Sequence, residues 1–481
     1  MAEAAGAPLE LGTKKIGPLL RQYAVPSIIA STASSLYNMV DSIFIGHIPG
    51  AGAMAISGLA VTFPLMNLSA ALGTLVGVGA ATMVSVYLGQ QHYRVANKVL
   101  ANVLSLNTII GALFTVVTLC FLDPILTFFG ASENTLPYAR DYMTIILLGN
   151  IITHLYFGLN AQIRASGNPK TAMGLTIFTV TANAVLDPLF IYGFGMGIRG
   201  AAVATVLCQT MALAYSMWFF LRKDNYMHFP KGVFKLHWKI ARDSMAIGMG
   251  PFLMNAMGCI VTLFINNQLR NYGGDLAIGA YGIINRITFL FIMIVMGFNH
   301  GMQPIAGYNY GARQFGRVRE VFTLTAKWGV LVTTAGFLLS ELLPGPVISA
   351  FTSDPELKGL AVRGIRVMNS AFALVGFGMV TGNFFQCLGM VKTSIFLSLS
   401  RQLIFLVPLL YALPLFLKET GVWLSFPISD LLSIVVSAIA LARLFSKFRR
   451  IEAGEDPSIL GLKGTAASLM DYGRNKGGAV R

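Results

Sequence analysis

The sequence predicts an all-α polytopic membrane protein, twelve transmembrane helices arranged as two pseudo-symmetric six-helix lobes. Three observations carry that prediction: composition, the length of the apolar stretches, and an internal repeat. Of the 481 residues, 55% are hydrophobic and only 11% are charged, against about 25% charged in soluble domains. Mean hydropathy is +0.67. The stretches 53–87, 101–129, 171–197, 200–221, 244–269, 276–299, 367–390 and 402–417 run close to or beyond the ~20 residues that cross a bilayer. They are continuous, without the in-and-out alternation of a membrane β-barrel, which excludes that class.

The repeat sets the architecture. AGAMAISGLAV at 51–61 realigns on GGDLAIGAYGI at 273–283, matching Gly52 to Gly274, Ala55 to Ala277 and Ile56 to Ile278, an offset of 274 − 52 = 222. The same offset carries Gly89 onto Gly311, Val99 onto Val321, Gly167 onto Gly389, Lys170 onto Lys392 and Thr171 onto Thr393. A repeat this long is a half-molecule, an arrangement found in transporters.

Cutting at charged and Gly/Pro punctuation gives spans near 17–46, 53–88, 95–127, 135–164, 170–192 and 198–221, with partners from 240 to 448. An even number of helices returns the chain to its starting side, so both copies share one orientation. The expected domains are a short N-terminal segment at 1–16, lobes at 17–221 and 240–448, a basic linker at 222–239 and a polar tail at 449–481.

Charge orients the lobes. Loops on the side of the N-terminus carry Lys14, Lys15, Arg21, Arg94, Lys98, Arg164, Lys170, the basic linker, Arg313 to Arg319 and Arg443 to Arg450, and the opposite loops carry fewer cations. By the positive-inside rule both termini are cytoplasmic. The net charge of +15 follows from this topology and needs no nucleic-acid partner. Cys120, Cys208, Cys259 and Cys387 stand alone in apolar stretches and read as packing residues. No phosphate-binding GxxxxGK[ST] loop is present, so any pumping draws on an ion gradient or a partner. No cofactor is expected.

Chemistry is expected where charge enters an apolar span, because a carboxylate there is costly and usually has a task. Asp41 in YNMVDSIFIG and Asp187 in NAVLDPLFIYGFG stand out. Each lies ~12 Å from the outer turn at 1.5 Å rise per residue. Asn183 is one helical turn from Asp187, and Thr205 follows the next turn at a similar depth. Two carboxylates, an amide and a hydroxyl make a hard oxygen set for Na⁺ (Asp41, Asn183, Asp187, Thr205) or a proton-carrying pair. Tyr37, one turn from Asp41, and Tyr142 are candidates to join it. Pro188 frees a carbonyl and favours a bend beside the site. The second copy has Leu263 and Leu409 at the matching positions, which confines coupling to the first lobe. In the second copy, Arg401 and Asp430 are expected to form a structural ion pair across consecutive helices.

These residues resemble the multidrug and toxic compound extrusion (MATE) family, in particular its bacterial DinF-type and MepA-like branch. The resemblance covers Gly17 to Phe448 and rests on YNMVDSIFIGH, GLAVTFPLMNL, YLGQQ, RASGNPKTAM, NAVLDPLFIYGFGMGIRGAAVAT, INRI, QPIAGYNYGARQ and SRQLIFLVPLL. It implies a rocker-switch antiporter in a bacterial plasma membrane that exports cationic amphipathic compounds against H⁺ or Na⁺. It also implies that the coupling site uses Asp41, Asp187, Asn183, Thr205, Tyr37 and Tyr142. Asn160 is carried over as well, although helical-rise counting leaves it near the cytoplasmic turn at Gly167. Other branches use a seventh-helix glutamate eight residues past that helix's proline, and here Pro251 plus eight is Cys259.

Flexible thioethers, aromatic rings and two amides suit a cavity for varied flat cations. Met39, Phe63, Met66, Asn67, Met254, Asn255, Met257 and Met293 are the candidates. Small organic cations and membrane lipid are the expected partners, and the chain is expected to be a monomer. The alternative is a flippase for lipids or lipid-linked saccharides of the same superfamily, which would call for several cations lining the cleft.

Overall fold

In lipid, an apolar stretch can satisfy its backbone only as a helix or a closed barrel. The computed structural model is helical, and no strand occurs among the described residues, which are 10–50, 52–222, 225–230, 232, 236–351, 354–460 and 469. At 36–40, 43, 52, 53, 56, 259, 275, 457 and 458 only the backbone is described.

The first half runs Ile16–Gly46, Gly52–Gly89, Tyr93–Cys120, a pair Leu136–Leu148 and Asn150–Ala165, then Pro169–Pro188 and Ile198–Leu221. The second half opens with Trp238–Gly311, broken at Gly274. It continues through Phe315–Leu342, the pair Pro355–Met368 and Phe372–Cys387, then Val391–Leu399, and closes with Val407–Glu452, broken at Lys418. Among the described residues, eight helices are long and apolar enough to cross a membrane, or up to ten if each pair is one span. Both pairs bend by 55°, so the span expected at 135–164 is an elbow and not a straight rod.

The duplication is visible in the backbone. Gly167 and Gly389 both take positive φ, 89° and 71°, the left-handed turn that ends a helix and favours glycine. Gly197 (φ 57°, ψ −138°) and Lys418 (φ 50°, ψ −131°) share one conformation at an offset of 418 − 197 = 221.

Two compact units result, and they do not follow the expected lobe boundaries of 17–221 and 240–448. Of the described residues, one contains 29–252, the other 14–28 together with 253–460. Each unit therefore takes the start of its partner copy's first helix. Glycines make this possible. In the first unit, a Cβ on Gly79 would lie 1.9 Å from Ser244 O and one on Gly248 1.8 Å from Leu75 O. In the second, Cβ atoms on Gly297 and Gly301 would lie 2.6 Å from the Cα atoms of Ile28 and Ala24. Gly79 and Gly301 are 222 apart, so the repeat preserves the backbone approach that admits the exchanged segment.

Each unit has its own apolar core. In the first, Ile45, Leu65, Leu126, Tyr142, Met143, Leu147 and Ile191 pack together. In the second, Ile265, Leu269, Ile284, Ile365, Leu410, Val422 and Trp423 do.

Candidate functional site

Three helices of the first unit bring the expected acids and their neighbours together. Asp41 lies on Ile16–Gly46, Asn183 and Asp187 on Pro169–Pro188, and Thr205 on Ile198–Leu221. All four are buried, Asp187 completely. The Asp41 and Asp187 carboxyl groups lie close enough to influence one another electrostatically. Asn183 Nδ2 donates to Thr205 Oγ1 at 3.3 Å, which ties two of the helices at this level. Pro188 closes its α-helix, and the chain continues as a π turn, Leu189–Gly193. Such wide turns are frequent at functional sites.

Hydrogen bonding at this cluster is incomplete. Asp41 Oδ1, Asn183 Oδ1 and both Asp187 carboxyl oxygens are buried without a well-formed hydrogen bond, although Asp187 and Asn183 are close enough to interact. Four buried oxygens from three side chains are an unusual concentration in a structure where such groups are normally paired. They suit a small hard cation or protons shared between the carboxyls. Among the described residues no group of three or more His, Cys, Asp or Glu could hold a metal, so carboxylate chemistry here is limited to this pair with neutral oxygens beside it.

A cavity of about 200 Å³ adjoins the cluster, walled by Ser34, Tyr156, Phe157, Asn160, Thr176, Thr179, Val180, Asn183, Thr205, Cys208 and Gln209. Asn160 thus stands in the same wall as Asn183 and Thr205, and its Nδ2 donates to Ala172 O at 3.0 Å, in the first turn of Pro169–Pro188, in agreement with the rise counting that put it toward the turn at Gly167. The cavity therefore extends from that end of the wall toward Asn183 and Thr205. Cys208, expected as packing, also reaches the wall.

The sequence reading missed Tyr156, Thr176, Thr179 and Gln209. A signal was available: Thr176, Thr179, Asn183 and Asp187 fall at spacings of three, four and four, one polar stripe on an otherwise apolar helix. Tyr142 is 1% exposed and belongs to the apolar core of the first unit. The side chains of Tyr37 and Met39 lie outside the described residues. Phe63 is exposed, Met66 and Asn67 are half-buried, and none of the three is in the cavity wall. In the second unit Met254, Met257 and Met293 are half-buried and Asn255 is exposed. There too, Arg401 Nε donates to Asp430 Oδ1.

The MatE family model matches residues 26–189 and 246–412, more than half of the chain and one segment in each repeat. The "Multidrug export protein MepA" of Staphylococcus haemolyticus (strain JCSC1435) is 27% identical over 412 residues, 85% of this chain and 90% of that protein. Among solved structures, the "Outward-facing conformation of a multidrug resistance MATE family transporter of the MOP superfamily" superposes with a TM-score of 0.85 at 24% identity, over 93% of this chain and 99% of that one. The "Crystal structure of MATE in the bent conformation" gives a TM-score of 0.86 at 25% identity, over 92% and 99%.

Proposed function

The chain belongs to the MatE family, and from that premise we infer that it is an antiporter exporting cationic amphipathic compounds against an inward gradient of H⁺ or Na⁺. It is a multi-pass membrane transporter, not an enzyme. The observation that carries the antiport reading is the juxtaposition of four unpartnered buried oxygens with a cavity whose wall includes hydroxyl and amide side chains, in one unit. An inserted carboxylate pair that binds and releases a cation gives each turnover two states of different charge. An alternating-access cycle needs such a difference in order to be driven.

In this reading Asp41 and Asp187 carry the coupling ion, Asn183 and Thr205 complete its oxygen shell, and Asn160 and Tyr156 line the adjoining cavity that accepts the drug. Pro188 and the π turn after it let the helix adjust as the pair changes charge. Twelve passages follow if Ile16–Gly46 is a span and Lys418 divides the last helix. An even count places both termini in the cytoplasm of a bacterial cell, with the basic loops on that side.

The test is efflux of ethidium from proteoliposomes under a pH gradient or a Na⁺ gradient imposed separately, with wild type, Asp41→Asn and Asp187→Asn. Export driven by one gradient and lost in both variants supports the reading and identifies the ion. Undiminished gradient-driven export in both variants would remove the acids from the mechanism.

A further inference from the structure

A tyrosine ties the two acid-bearing helices together on the outer side of the carboxyl pair. Tyr192 Oη donates to Phe44 O at 2.6 Å. Phe44 is three residues past Asp41, in the last turn of Ile16–Gly46, and Tyr192 is five past Asp187, in the π turn Leu189–Gly193. Carbonyls in the last turn of a helix lack an intrahelical partner. Besides the tyrosine, Phe44 O accepts from His47 N at 3.2 Å.

The π turn aims the phenol. Five residues along an α-helix is ~140° round from the starting side chain, which would turn position 192 away from Asp187. Phe194 N donates to Leu189 O at 2.9 Å, a bond across five residues that widens the turn and brings Tyr192 round to the helix that carries Asp41. The turn is also backed. Ile191 is buried in the apolar core of the first unit, and a Cβ on Gly200 would lie 2.7 Å from Phe190 C, so the next helix packs on the turn's backbone. At the offsets of 221 and 222 Tyr192 falls on Leu413 and Pro414, neither of which has a hydroxyl. The tie, like the acid pair, therefore occurs in the first copy alone.

We propose that Tyr192 is a positioning residue for ion coupling, whose hydroxyl clamps the outer end of Ile16–Gly46 to the π turn and keeps the Asp41 and Asp187 carboxyls within reach of one shared cation. The proposal rests on the antiport reading and adds a part to its ion site. Two carboxyls at one site hold a first proton more tightly than either does alone, and offer a metal cation two charges in place of one. Both advantages fall with separation. Loosening the clamp therefore weakens ion binding, while the cavity keeps its wall, which contains neither Tyr192 nor Phe44. Among the described residues the other groups that interact with the pair are the Asn183 amide and the Cys208 thiol, with no cationic side chain among them. The titration of the pair thus reports its own spacing. A hydroxyl that only capped the helix would contribute to Tm and leave that titration unmoved.

Infrared difference spectroscopy of the purified protein, in Na⁺-free buffer and with no gradient, reads protonation of the pair through the carboxyl stretch that disappears in Asp41→Asn/Asp187→Asn. Tyr192→Phe keeps the ring and removes only the hydroxyl. Its titration midpoint should move about 0.7 pH unit to the acid side, a fivefold weaker hold on the proton and the size of one neutral hydrogen bond. Where Asp41→Asn has already broken the pair, adding Tyr192→Phe should leave the Asp187 midpoint in place. An unmoved midpoint in Tyr192→Phe, with or without a fall in Tm, would make the tyrosine a helix cap and overturn the proposal. An equal shift in the Asp41→Asn background, or a wild-type pair that does not titrate, would overturn it too. Gradient-driven ethidium export by the wild type is measured in parallel. Its absence would count against the antiport reading and not against the clamp.

Discussion

The acids Asp41 and Asp187 show how function opposes stability at single positions. Buried oxygens without partners cost about 1–3 kcal/mol each, and a structure keeps them only where they have a task. Asp187→Asn should therefore abolish coupled export while leaving the apparent Tm in detergent unchanged or higher. A large drop in Tm together with lost export would make the acid a structural residue. Lys418 illustrates strain in place of chemistry. It holds φ 50° and ψ −131°, a region that L side chains avoid, where its repeat counterpart is Gly197. Lys418→Gly should stabilise the protein by about 1 kcal/mol, the lower end of the cost of such a conformation. A thermal melt reads this as a rise of about one degree for a chain of this length. The sequence showed the acids because charge in an apolar span is conspicuous. It did not show the strain, because a lysine in a polar loop looks ordinary.

At the scale of the element, the bent helix pairs are held by asparagines. Asn150 opens the second arm of the first elbow. It accepts from Ser69 Oγ and its Nδ2 lies 3.4 Å from both Gly111 O and Thr115 Oγ1. His154 Nε2 joins Ser69 at 3.1 Å. In the second elbow Asn369 Nδ2 reaches Ser340 Oγ at 2.9 Å and Thr288 Oγ1 at 3.3 Å. The two asparagines are 219 apart and so are not repeat counterparts, yet each ties its elbow to the two neighbouring helices. Asn150→Leu removes the amide partner of Ser69 and leaves it His154, and should cost about 1 kcal/mol, again measurable in a melt. It should also weaken ethidium binding, because the second arm carries Tyr156 and Asn160. Unchanged binding in a destabilised variant would confine Asn150 to folding.

Element existence was legible, since apolar length and Gly/Pro punctuation are local properties. The elbows were not, because a 55° bend at Gly149 leaves the hydropathy of 135–164 continuous. The polar stripe Thr176, Thr179, Asn183, Asp187 lies within one helix, Pro169–Pro188, and so was a guide to the cavity that the bend does not disturb.

At the scale of the whole molecule, the repeat told of two copies but not of their exchange. Periodicity identifies a helix without naming its neighbours, and only packing shows that 14–28 belongs with the second unit and 238–252 with the first. Proline stands near both crossing points, Pro26 before Ile28 and Pro251 before Phe252, where a missing amide hydrogen eases a bend. Gly79→Val or Gly248→Val would drive a branched side chain into carbonyl oxygen less than 2 Å from the Cβ position. Either should prevent recovery of monodisperse protein by size exclusion, and normal recovery of both would argue against the exchange.

The exchange also sets an order on synthesis. A ribosome that has released residue 221 has delivered every helix of the first repeat, but the Leu75 and Gly79 surface still awaits Ser244 and Gly248. The segment 14–28, made first, has nowhere to settle until Gly297 and Gly301 arrive. Neither repeat can finish alone, so a gene cut in the 222–239 linker should give two fragments that are each degraded when made singly and rescued when made together.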